Sequence, residues 1–110
     1  MAFVPQPKTV EVIAASPDRL DVRGALTFAT ARSAYDAGLR ALRKGEASNA
    51  PLQVDLSGVN ESDSAGLAVL IEWLAAAERV GRKLRFSNLP DGIRAAAQIS
   101  DVTAILESAA

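Results

Sequence analysis

Three acids, Asp55, Glu61 and Asp63, and three hydroxyls, Ser57, Ser62 and Ser64, crowd into one stretch, DLSGVNESDSAGL (55–67). Carboxylates at this density are the raw material of a Mg²⁺ site or of an acid–base pair, and a serine among them of a nucleophile or phosphate acceptor. Most of these options fail on what surrounds them. The chain has no His and no Cys, which removes Ser–His and Cys–His nucleophile activation and the usual zinc ligands together. The acids follow no EF-hand order, and no GxxxxGK(S/T) phosphate loop is present. Neither metal nor cofactor is expected, and with no second catalytic element the chain reads as a non-enzyme.

Two local readings of the stretch remain. A helix opening near Ser64 would turn unpaired N–H groups and its dipole towards a negative group, a carboxylate or a phosphate, which poises Ser64 for either. Alternatively Ser62 or Asp63 is an ordinary N-cap, while Gly58 and Gly66 ease a turn and let helix and sheet approach.

The elements that must hold this stretch alternate along the chain. TVEVIAA (9–15) has a β-like pattern, Ser16-Pro17-Asp18 is turn chemistry, and RLDVRG returns as a second, antiparallel strand. From Leu26 to Lys44, Phe28, Tyr35, Leu39 and Leu42 recur at helical spacing, with Thr27 or Thr30 as cap and Gly45 as stop. Ser48-Asn49-Ala50-Pro51 breaks the chain before the short strand LQVDL (52–56), which ends in Asp55-Leu56 and opens the polar stretch as a loop.

The next helix carries Leu67, Leu70, Ile71, Leu74 and Ala77 as its core stripe and runs to Val80-Gly81. Beside that stripe lies a second apolar flank, Val69, Trp73, Ala76 and Val80, leaving a narrow polar face around Ala68, Glu72 and Arg79. Trp73 either closes the edge of the core against a neighbouring helix or, with Val69, anchors a partner. KLRFS is a further strand, Ile93–Ile99 a short helix after Pro90, and a last turn or two carries Val102, Ile105 and Leu106 inward. The sum is a single α/β domain over residues 1–110, residues 1–8 a loose leading segment: a small mixed sheet, made of an N-terminal hairpin and parallel βαβ units, with helices packed against it.

Composition narrows the partners. At 110 residues and 49% hydrophobic content, the chain can bury roughly two thirds of its unfolded surface. With a formal net charge of −1, it has no long-range field to draw nucleic acid. Arg40, Arg43 and Lys44, and Arg79, Arg82, Lys83 and Arg85, sit where helix ends prefer cations, without interleaved aromatics. The opening MAFVPQPK is no signal peptide, and no apolar run is long enough to span a bilayer. The expectation is a cytoplasmic protein without direct membrane insertion.

Asp55-Leu56-Ser57-Gly58-Val59 followed by Asp63-Ser64-Ala65-Gly66-Leu67 resembles the DLSG(V/L)…D(S/T)(S/G/A)GL signature of STAS domains. The likeness extends from about Leu52 through the third helix. The tail VGRKLRFSNLPDGIRAAAQISDVTAIL (80–106) resembles most the small stand-alone STAS subunit of Mla-type phospholipid-transport ABC systems. That resemblance implies a non-catalytic cytoplasmic subunit that binds and supports the transporter's ATPase in maintaining outer-membrane lipid asymmetry, peripheral to the inner membrane through that partner. The next resemblance is to anti-sigma-factor antagonists, in which the serine matching Ser64 is phosphorylated by a partner kinase. In the Mla-type branch the matching hydroxyl contributes to the ATPase contact. Asn60, Glu61, Ser62, Asp63 and Ala65 are then the partner-binding loop, and Asp55, Gly58 and Gly66 its structural turn. Two positions depart from the sigma-antagonist pattern: Ser62 replaces an aliphatic residue, and Ala65 replaces a second serine.

Overall fold

The computed structural model describes residues 8–44 and 50–108. The elements are β1 (Val10–Ser16), β2 (Arg19–Leu26), α1 (Ala31–Lys44), β3 (Leu52–Ser62), α2 (Ser64–Arg79), β4 (Leu84–Ser87), α3 (Asp91–Ile99) and α4 (Thr103–Ser108). The sheet has the order β1-β2-β3-β4; β1 and β2 are antiparallel, and the β2–β3 and β3–β4 pairs are parallel. The mixed sheet read from the sequence is therefore the one found. Residues 1–7 of the loose segment expected over 1–8, the stop at Gly45 and the breaker Ser48-Asn49 lie outside the described residues.

Alternation along the strands makes two layers. Leu20 and Val22 on β2, Leu52, Val54 and Leu56 on β3, and Leu84 and Phe86 on β4 are buried in one cluster with residues of α1, α2 and α3. The intervening Arg19, Arg23, Gln53, Ser57 and Arg85 are exposed, so the second face of the sheet meets water. A period of two sorts side chains to opposite faces.

Helix α1 starts at Ala31, later than its apolar spacing suggests. The hydroxyl of Thr30 donates to Ala25 O (2.7 Å) and accepts from Thr27 N (3.1 Å), which commits residues 27–30 to a tight turn. Phe28, expected on the core stripe, is consequently outside the helix and 86% exposed. Helix α2 corrects a second expectation: Val69 and Trp73 are buried with Gly66, Leu67, Leu70, Ala76 and Ala77, while Ile71 and Leu74 are only half-buried. The stripe is rotated because α2 packs against both α1 and α3 as well as covering the sheet. Val69 and Trp73 are therefore core residues, not a free partner-binding face. At the far end Leu106 is buried as expected, but Ile105 is half exposed.

Candidate functional site

The polar stretch is not a loop. Strand β3 continues through it to Ser62, so Asp55 lies within the strand and Gly58, Asn60 and Glu61 are strand residues. Residues Arg19–Leu26 of β2 run beside Gln53–Ser62 of β3, with irregularities between Asp21 and Arg23 and between Gly24 and Ala25. β3 holds the extra residues. Such bulges bend a strand and re-aim its end, which is how a long polar strand delivers Asp63 and Ser64 to the sheet's rim. Sequence periodicity does not register this, because main-chain pairing holds the polar residues in place.

Asp55, read as part of a structural turn, is instead the hub of the water-facing sheet surface. Its Oδ1 accepts from Ser57 N (3.0 Å) and Asn88 Nδ2 (2.9 Å), and its Oδ2 from Ser57 Oγ (2.9 Å) and Arg19 Nη2 (3.1 Å). The hydrogen bond from Asn88, then that from the Ser57 backbone, hold the carboxyl below the ordinary aspartate range, with the Arg19 charge adding to them. These contacts tie β2, β3 and the end of β4 together; they do not reach Ser64.

Asp63 settles the capping alternatives. It is the N-cap of α2, with extended backbone, and its Oδ1 accepts from Ala65 N (2.9 Å) and Gly66 N (3.3 Å). Its Oδ2 accepts from Phe28 N in the β2–α1 turn at 3.1 Å. The cap thus binds two loops. Gly66 is needed for close approach: a Cβ there would lie 2.4 Å from Leu26 O, so the first turn of α2 rests directly on the end of β2.

Around this junction the predicted residues separate by exposure. Ser64, Asn60 and Glu61 are exposed, Ser62, Asp63 and Ala65 half-buried. Glu61 also pairs with Lys8. A shallow groove of about 480 Å³ runs between the amino-terminal halves of α1 and α2, lined by Ala31, Arg32, Tyr35, Ala65, Ala68, Val69 and Glu72. Phe28 stands at the amino end of α1 beside it in sequence. The sequence reading missed Phe28 as a surface residue, since helical spacing counted it as core; Ala31 and Tyr35, which also line the groove, are half-buried against the core. The Thr27/Thr30 turn is the signal that could have placed Phe28 outside the helix.

Among the described residues no cluster of acids could hold a metal ion, and no helix is long and apolar enough to cross a membrane. The rim offers a hydroxyl, carboxylates and a shallow groove in which alanines and Val69 lie among Arg32, Tyr35 and Glu72.

A family model described as "Mlab, STAS domain" matches residues 10–107, and the chain belongs to the STAS domain family. The anti-sigma-factor antagonist SpoIIAA, in its unphosphorylated form, has a similar fold: TM-score 0.65 and 15% identity over 86% of this chain and 83% of that one. No curated protein matches the chain closely enough to add to this. STAS domains are typically non-catalytic and act through protein contacts.

Proposed function

We propose that the protein is the cytoplasmic, non-catalytic STAS subunit of an Mla-type phospholipid-transport ABC system, binding the ATPase subunit through the surface around Ser64. The observation that carries the reading is the Mlab-type family match across residues 10–107. The site supports it: Ser64 is exposed at the first residue of α2, beside the α1/α2 groove. In this role ATP and lipid are handled by the partner, and this chain supplies a rigid contact that favours the assembled transporter.

Co-purification from native cells tests it. A washed complex containing the ABC ATPase and permease is expected; recovery of a serine kinase in their place would overturn it. The second reading is an anti-sigma-factor antagonist switched by phosphorylation of Ser64, and the exposure of that hydroxyl at a helix amino end is what favours it. Intact-mass analysis of the native protein separates the two, because a stoichiometric phosphate on Ser64 belongs only to the second.

A further inference from the structure

The most exposed aromatic of the site is carried on a tightly bonded turn. Phe28 has 86% of its surface open, yet its turn is pinned at several points. Its own N–H donates to Asp63 Oδ2 (3.1 Å), the preceding Thr27 N donates to Thr30 Oγ1 (3.1 Å), and the Thr30 hydroxyl donates to Ala25 O (2.7 Å). An exposed ring gains nothing for the fold from its position. A backbone turn already fixed before binding loses little freedom when a partner covers the side chain it carries, and aromatics are enriched in the buried centres of interfaces.

The Phe28 turn is tied to the start of α2 through Asp63. One carboxylate caps α2 through Oδ1 and holds the Phe28 turn through Oδ2, although the two segments are 35 residues apart. We infer that Asp63 is a positioning residue that clamps the Phe28 turn to the first turn of α2, so that Phe28 and Ser64 meet the partner as one rigid unit. Phe28 is the anchor of that unit and fills an apolar pocket of the protein partner. Around the site Asp36, Glu61, Asp63 and Glu72 outnumber Lys8 and Arg32, which are paired with Glu61 and Asp36, so the partner's pocket carries a cationic rim. The anchor role rests on the interaction reading above; the clamp does not.

Three variants of the full chain test it: Phe28→Ala, Asp63→Ser and the double variant. Serine keeps a good N-cap oxygen but has no second acceptor, so Asp63→Ser should keep the fold while freeing the Phe28 amide. Hydrogen exchange of that amide in the isolated protein should accelerate at least about tenfold while core amides of α2 stay protected. Against the purified cognate ATPase, Phe28→Ala should weaken binding about thirtyfold and Asp63→Ser about tenfold. In the Phe28→Ala background Asp63→Ser should add little, since the clamp acts through the ring. Wild-type exchange at Phe28 in Asp63→Ser overturns the clamp, and fully additive binding losses overturn the coupling. Failure of the wild-type chain to bind the ATPase overturns the anchor role together with the functional reading, while the exchange result judges the clamp on its own.

Discussion

At the scale of single residues, the two aspartates of the stretch divide their labour. Asp63 serves the rim, whereas Asp55 braces the opposite sheet surface, with Asn88 as its largest stabilising contact. Asn88 has φ 58°, a left-handed conformation that asparagine tolerates better than most residues. The folded-state pKa of Asp55 lies below its ordinary 3.8, so its network contributes stability in full above that value. The contribution is lost as pH falls through the lower folded value. Asp55→Asn should therefore be less stable at neutral pH yet lose less on acidification, which urea melts at neutral and strongly acid pH would measure. Asn88→Ala should raise the Asp55 pKa, readable from its carboxyl chemical shift on titration; an unmoved titration would remove Asn88 from the account. Gly66→Ala sets two effects against each other. Alanine gains about 1 kcal/mol of helix propensity, but its Cβ would lie 2.4 Å from Leu26 O, and backbone there cannot yield as a flexible side chain can. The clash should win by about 1–3 kcal/mol net in a denaturation experiment.

At the scale of elements, the contact between α1 and α2 depends on a small residue facing a large one. A Cβ at Gly38 would lie 2.1 Å from Trp73 Nε1, so glycine is what lets the indole close over α1. The indole N–H points at Tyr35 O across a long 3.4 Å. Trp73 is 1% exposed, and Trp73→Ala should cost about 3–5 kcal/mol. Its fluorescence should resist iodide in the free protein and change little on partner binding; strong quenching in the free protein would contradict this packing. These elements also show what a sequence can and cannot disclose. The hairpin, α2 and β4 were legible because turn residues and periodicity agree there. Which stripe of α2 faces inward was not, because a helix covered on several sides is apolar nearly all round. The run of β3 through Asn60 and Glu61 was hidden for the converse reason: hydrogen bonding along the backbone, which carries no side-chain pattern, makes it a strand. Ser64 was legible as the first exposed hydroxyl after a cap, whereas Phe28 was not, since its place depends on hydroxyl bonds within the Thr27–Thr30 turn.

At the scale of the whole molecule, two layers leave two very different surfaces for a partner. The open sheet face carries Arg19, Asp21, Asp55, Ser57 and Asn88 in hydrogen bonds to one another, so docking there would first have to displace contacts the protein already makes. The rim at the amino ends of α1 and α2 carries an exposed hydroxyl, an exposed phenyl ring and a shallow groove in which alanines and Val69 lie among Arg32, Tyr35 and Glu72, and covering it costs the domain little. Charge changes on the two surfaces should therefore act differently. Ser64→Glu puts a longer, charged side chain where a small hydroxyl meets the partner, and it should weaken ATPase binding at least about tenfold through steric misfit and desolvation of the carboxylate. Ser64→Ala removes a hydroxyl without adding charge and should cost less, with melting temperature unchanged in both variants because Ser64 is exposed. The matched control is Gln53→Lys with Arg85→Glu, a neighbouring pair on the sheet face, which should leave affinity within about twofold. A sheet-face variant that weakens binding as much as Ser64→Glu would move the interface to the other layer, and with it the role assigned to the rim.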